Sequence, residues 1–286
     1  MKNIVIFGAS GQLGSCFKQI AENEGRTDIY FPGETEANIL DEEALKNIFE
    51  AQRPTYAINC AAYTAVDKAE DDYETADKVN KVGAANLAKF CAEYGSTLIH
   101  VSTDFVFEGN APTPRTEDDI AAPINAYGQT KLDGELAISS VLEKYFILRT
   151  SWLYSEYGNN FVKTMLKFGA EREQLTIIAD QVGTPTYGID LAYAIMEIIN
   201  TESTAYGLYH YSNEGVASWY DFAKAIFDLS ETHVKTLPIP TSAYKTRAVR
   251  PAYSVMDKSK IKNVLNIEIP YWRDSLAICI NRLKNN

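Results

Sequence analysis

The first fourteen residues constrain the fold more than any other stretch. "NIVIF" is a short β-branched run, and it passes at once into "GASGQLG", with Gly8, Gly11 and Gly14 three residues apart. A strand that ends in glycines and continues as a helix opens a βαβ unit. Glycine permits the tight turn, and it lets backbone N–H groups at the positively polarised helix start approach a pyrophosphate. The spacing is GxxGxxG rather than GxGxxG, so the usual dinucleotide fingerprint is matched only loosely. The position directly after the first strand carries the cofactor reading against that of a plain glycine-rich turn.

Strand-like and helix-like segments alternate from there. "QLGSCFKQIAENEG" has helical spacing and ends at Gly25, "DIYF" reads as a strand, and "DEEALKNIFEAQRP" is a helix with acids in its first turn and a proline beyond. "YAINCAA" is a strand, "ETADKVNKVGAANLAKFCAEYG" a long amphipathic helix, "TLIHVST" a strand, "NAYGQTKLDGELAISSV" a helix and "YFILRTSW" a strand. This rhythm predicts an α/β fold, a Rossmann-type doubly wound parallel sheet with ligands at the carboxyl ends of its strands. After about residue 150 the rhythm loosens. "GLYHYS" reads as a strand, "SWYDFAKAIFDLS" as a Ser-capped helix and "LPIPTSAYKTRAVRPAYS" as a long loop. Residues 1–150 therefore read as an NAD(P)-binding Rossmann domain, and 151–286 as a smaller C-terminal substrate-binding lobe, with exchange of segments between them left open.

Charge and cysteine usage narrow the function. Among 286 residues, 27 basic and 38 acidic side chains give a net charge of -11, which argues against a nonspecific nucleic-acid or anionic-membrane binder. Cys16, Cys60, Cys91 and Cys279 form no CxxC pair, as expected for reduced thiols in a cytoplasm. His100, His210 and His233 stand far apart, so no metal site is expected. The first apolar run is too short for a signal peptide and no stretch approaches a membrane span, so a cytoplasmic protein is expected, as monomer or homodimer.

Two further stretches carry chemistry. In "AYGQTKLDGE", Tyr127 and Lys131 are four residues apart at the start of a helix and share a face. A phenol is a poor acid at neutral pH, and an adjacent ammonium would lower its pKa by stabilising phenolate; Tyr127 could then protonate a carbonyl oxygen as hydride arrives. "STDFVFEG", Ser102 to Gly109, ends a buried strand with a hydroxyl and a carboxylate. No acid stands at the end of the second strand to hold a ribose 2′-OH. Phe31 and Pro32 are there instead, which removes a charge that would repel a 2′-phosphate and favours NADPH. NADH stays open, because no arginine lies nearby in sequence.

With these stretches in view, the chain resembles the extended short-chain dehydrogenase/reductase superfamily, and more narrowly the dTDP-4-dehydrorhamnose reductase family. The resemblance runs through "FGASGQLG", "NCAAYTAVDKAE", "VSTDFVFEG", "PINAYGQTKLDGE", "LRTSWLY", "GNNFVKTML", "DQVGTPT" and "GLYHYS". It implies a catalytic trio of Thr103, Tyr127 and Lys131, with Lys131 also holding the nicotinamide ribose. It implies cofactor contacts from Gly8, Gly11, Gln12, Leu13, Gly14, Phe31, Asn38, Ala62, Tyr63 and Thr64. Substrate contacts would come from Thr103, Asp104, Trp152, Asn160, Phe161, Lys163 and Arg250. Trp152 would give a flat apolar platform, with a core tryptophan as the bland alternative. The implied reaction is NAD(P)H-dependent reduction of the C4 ketone of a dTDP-linked keto-deoxy-sugar. In two places the chain departs from the family pattern: Cys60 stands where alanine is usual and Tyr253 where asparagine is usual.

Two rival functions follow from the same residues. A nucleotide-sugar dehydratase would need an Asp-Glu pair after the strand-end threonine, and Phe105 stands at the Glu position; an epimerase is not excluded in this way. A non-catalytic dinucleotide-binding subunit is the third reading, and intact Tyr127 and Lys131 argue against it.

Overall fold

Apolar runs buried on both faces form parallel strands, because crossover helices cover both sides of the sheet they build. In the computed structural model, which describes residues 2–285, the sheet begins with β1 (Ile4–Phe7), β2 (Ile29–Tyr30), β3 (Tyr56–Asn59), β4 (Thr97–Thr103) and β5 (Tyr145–Thr150). A sixth strand, Gly207–His210, pairs with β5, and every pairing in this sheet is parallel. The order across the sheet is Gly207–His210, β5, β4, β3, β1, β2. The chain steps outward from β1 to β2 and then crosses to the other side of β1 for β3. The crevice between β1 and β3 is thus the topological switch point, where such sheets bind ligands.

The intervening helices are α1 (Gln12–Glu24), α2 (Glu42–Gln52), two short segments α3 (Val66–Ala69) and α4 (Tyr73–Asp77), α5 (Gly83–Tyr94) and α6 (Ala126–Val141). A wide π turn, Lys78–Val82, joins α4 to α5, so the single long helix expected from the sequence is interrupted there. Beyond β5 follow α7 (Phe161–Glu171), α8 (Gly188–Asn200) and α9 (Trp219–Ser230). One core lies between the sheet and α1, α8 and α9, and holds Phe17, Leu148 and Phe222; the other lies under α2, α5 and α6 and holds Phe7, Phe49 and Leu87. Residues 151–286 therefore supply both a strand of the sheet and the helix α8 that packs against α1.

Two five-residue strands have no counterpart in the sequence reading. Gln174–Ile178 and Lys235–Ile239 pair in parallel, the second running into the stretch expected as loop. Leu175 and Ile177 alternate with exposed residues and point into the core, a period too short to stand out, and Pro238 and Pro240 disguise the partner strand. No helix among the described residues is long and apolar enough to cross a membrane.

Helix α6 is fixed to the sheet by charge. Glu135 accepts from Arg149 Nη2 at 2.7 Å and from its Nε at 2.9 Å, and also from the Ser102 hydroxyl; all three residues are buried. Removing one partner of such a pair leaves an uncompensated buried charge. Glu135→Gln should therefore destabilise the protein by roughly 3–5 kcal/mol in urea titration, whereas Glu135→Leu with Arg149→Met should recover most of that loss.

Candidate active site

The glycine turn is shaped by close approach. Gly8 has φ +77°, and a Cβ there would lie 2.5 Å from the Ala61 N at the end of β3. A Cβ on Gly14 would lie 2.5 Å from the Gly8 carbonyl oxygen, so α1 starts directly against the turn. Gly11 caps α1 without a side-chain hydrogen bond, and the first turn holds no acid. The helix start therefore points unneutralised N–H groups into the switch-point crevice, which suits a pyrophosphate. Leu13 turns its side chain into the core, so only its backbone faces this mouth.

Other residues expected at the cofactor follow β2 and β3 in the chain. Phe31 is half-buried just after β2, with Lys18 Nζ 5.9 Å from its ring centroid. Ala62, Tyr63 and Thr64 follow β3, and Tyr63 is held from behind by Asn80: its N–H donates to Asn80 Oδ1 at 2.9 Å, and Asn80 Nδ2 reaches the Thr130 hydroxyl on α6 at 3.0 Å. Asn80 sits in the π turn, a feature that recurs at functional sites. Asn38 is exposed, and its side chain accepts from the Leu40 N–H.

The trio expected from the sequence lies on the end of β4 and the first two turns of α6. Thr103 is the last residue of that strand; its Oγ1 accepts from the Phe105 N–H at 3.2 Å and donates to Asp104 Oδ1 at 3.1 Å. Asn125 caps α6 by accepting from the Gly128 N–H at 2.8 Å, which presents Tyr127 in the first turn. Burial pushes the Tyr127 phenol up to about 12; the Thr103 hydroxyl beside it pulls the other way and Asp104 adds to the rise. Lys131 is fully buried, and burial brings its amine down to about 8 against the opposing pull of Glu135 and Cys60. Its Nζ donates to the Val101 carbonyl at 2.7 Å and lies 3.2 Å from His100 Nε2. The two residues share a helix face as the spacing requires, but the amine is drawn toward β4. The expected lowering of the phenol by the ammonium is not seen in this arrangement.

Phe105 meets the Tyr127 ring edge-on at 5.7 Å, filling with a hydrocarbon the neighbourhood where a dehydratase would carry a carboxylate. Phe107 is core, packed edge-on against His210 with the Arg149 guanidinium over its ring. Asp104 is buried, and its Oδ2 has no hydrogen-bond partner.

The residues expected at the substrate divide into two groups. Trp152 has a left-handed backbone, φ 46°, rare for a non-glycine and a mark of stored strain. Its ring stacks on Trp219 with centroids 3.5 Å apart and planes 8° off parallel. Trp219, Phe161 and Arg250 line a cavity of about 480 Å³ together with Arg172, Gln181 and Tyr244. The tryptophan pair thus joins the strand ends to this cavity. Arg250 forms a bidentate pair with Asp67, at 2.6 and 3.1 Å. Asn160 and Lys163 lie to one side. Asn160 caps α7, and its Nδ2 is shared among Gln12 Oε1 and the Ser155 and Tyr157 carbonyls; Lys163 Nζ donates to the Glu156 carbonyl.

Sequence reasoning missed Asn80, Arg172, Trp219 and Tyr244. A polar residue in the apolar stripe of "KVNKVGAANLAKF" was the signal for Asn80. Trp219 read as one apolar residue of a capped helix, and nothing local shows that the Ser218–Asp221 capping box aims it at Trp152.

Comparison with known proteins adds the family. The model of the RmlD substrate binding domain family matches residues 1–285. The chain belongs to that family. It is 39% identical to a dTDP-4-dehydrorhamnose reductase of Aggregatibacter actinomycetemcomitans, over 96% of this chain and 97% of that protein. Among solved structures, a dTDP-4-dehydrorhamnose reductase of Clostridium acetobutylicum superposes with a TM-score of 0.94 at 39% identity, covering 99% of this chain and 100% of that one. The enzyme of that name from Bacillus anthracis, solved in complex with NADP, has a TM-score of 0.93 at 40% identity, with the same coverage.

The Asp104 carboxyl is pushed up to about 6 by burial, against the pull of the neighbouring Ser254 and Thr103 hydroxyls. A folded pKa above the unfolded one gives stability that is present at low pH and lost as pH rises through the folded value. Relative to Asp104→Asn, the wild-type protein should lose about 3 kcal/mol of stability between about pH 4 and about pH 8. Chemical denaturation across that range measures the slope.

Proposed function

We propose that the protein reduces the C4 ketone of dTDP-4-dehydro-β-L-rhamnose to dTDP-L-rhamnose with NADPH. The observation that carries this reading is the Tyr127 phenol beside Thr103 at the end of β4, with the buried Lys131 amine one turn further along α6, in a chain of this family. The cradle fits a dinucleotide: at Gly8 and Gly14 a Cβ would strike backbone, so glycine keeps the turn tight against β3 and α1, and the α1 start offers uncapped N–H groups. The residues that would hold the cofactor are the Gly8–Gly14 turn, Phe31, Ala62, Tyr63 and Thr64, with Lys131 toward the nicotinamide ribose. Lys18 supplies a cation beside Phe31, next to the place an acid would take in an NADH-selective site. When bound, the dinucleotide supplies hydride.

The protein's part is to hold the ketone and deliver a proton. Thr103 and Tyr127 hydrogen-bond the C4 oxygen. A phenol whose pKa is held high stays protonated at neutral pH, so Tyr127 has its proton to give as charge develops on that oxygen. Phe105 keeps a carboxylate away from the neighbouring sugar carbons, which disfavours elimination of water. Trp152 and Trp219 give an apolar seat for the sugar, and Arg172 and Arg250, on the cavity beyond, suit a diphosphate. Asn160, Phe161 and Lys163 complete the substrate side, with Asn160 and Lys163 acting through the loop they hold.

Purified protein mixed with the keto-sugar nucleotide should consume NADPH, followed by absorbance of the reduced nicotinamide. Tyr127→Phe should lower kcat by roughly a hundredfold or more with little change in NADPH affinity. Near-native kcat in that variant would refute the acid assignment.

A further inference from the structure

The polar groups behind Lys131 form a chain whose direction is fixed by one backbone N–H. Asn59 ends β3, and its side-chain oxygen accepts from the Ala61 N–H at 3.0 Å. Its amide nitrogen therefore faces His100 Nδ1, 3.0 Å away on β4. An NH₂ group donates and does not accept, so Nδ1 offers its lone pair and the neutral ring carries its proton on Nε2. Burial and the nearby lysine hold His100 well below its usual range, which keeps the ring neutral. Nε2 in turn lies 3.2 Å from Lys131 Nζ. Asn59, His100 and Lys131 are each 1% exposed, so these orientations are set by the protein and not by bulk water.

We propose that His100 is a positioning residue for Lys131: held as the Nε2–H tautomer by Asn59, it presents an N–H instead of a lone pair to the lysine amine. Two donors facing one another repel. The ammonium turns its N–H bonds toward the Val101 carbonyl and the cleft, where a ribose hydroxyl would sit, and it gives up its proton more easily. The other groups that act on it are Cys60 beyond β3 and Glu135 on its own helix. Cys60 and Glu135 favour the charged amine, and burial opposes it. The kinetic consequence rests on the reductase reading; the tautomer rests on the hydrogen bonds alone.

Long-range ¹⁵N–¹H NMR of the histidine rings, with His100→Gln identifying the His100 signals, should show His100 as Nε2–H across the neutral range. An Nδ1–H pattern in the wild-type protein overturns the inference. Asn59→Asp places an acceptor opposite Nδ1, so the ring should move its proton there and turn a lone pair toward Lys131. The Lys131 titration, followed at its Cε, should then rise by about one pH unit. Asn59→Asp in a His100→Phe background has no tautomer to switch and gives the bare charge effect, which the shift must exceed. His100→Gln, whose amide offers oxygen to Asn59 and N–H to Lys131, should leave the titration in place. A switched tautomer with an unmoved Lys131, or a shift no larger than in the Phe background, overturns the proposal. In the reductase assay the basic limb of kcat/KM should follow the Lys131 titration. Because both NMR readouts need no substrate, absence of sugar reduction would count against the reductase reading alone.

Discussion

In the proposed mechanism, every reacting group depends on how α6 is held against β4. A helix that carries both a proton donor and a buried amine cannot slide on an apolar face without losing register. Here the Glu135 carboxylate, bridging Arg149 of β5 and Ser102 of β4, fixes it. Such a pair adds little stability over hydrophobic packing, but it penalises misplacement heavily, because each partner alone is a buried charge. One turn earlier on the same helix, Lys131 is drawn to Val101 and His100, and one turn before that Tyr127 meets Thr103. The charged anchor and the reacting groups are successive turns of one helix face, set against the end of one strand.

The same strand ends supply the cofactor cradle. β1 and β3 part at the switch point, and Gly8 lies so close to Ala61 that no side chain fits between them. Asn80 then couples the loop after β3 to Thr130 on α6. Cofactor loop and catalytic helix thus share a buried amide, so a change in one is felt by the other.

Much of this was legible in the sequence, for physical reasons. The glycine turn, the alternation of strands and helices and the Tyr127–Lys131 pair are local patterns, and local patterns survive in one dimension. Phe105 could be read as an absence of carboxylate from its neighbours alone. The stacking of Trp152 on Trp219 could not, since the partners are far apart in sequence and meet only because a capping box aims one and a left-handed backbone turns the other. The direction of Lys131 was hidden for the same reason. Spacing put it on the face of Tyr127, while the groups that draw its amine away belong to β4. Arg172 was hidden because the strand pair Gln174–Ile178 and Lys235–Ile239, which shapes the cavity beside it, was itself masked by prolines.

The central claim is that this site delivers hydride to a sugar ketone and protonates the resulting oxygen from Tyr127. Its most direct measurement is the fate of label from C4-deuterated NADPH in a single turnover with the keto-sugar nucleotide, followed by NMR of the product. The account predicts deuterium bound at C4 of the sugar, with an equal amount of oxidised cofactor released. Label returned to the nicotinamide, or found at another carbon of the ring, would contradict it.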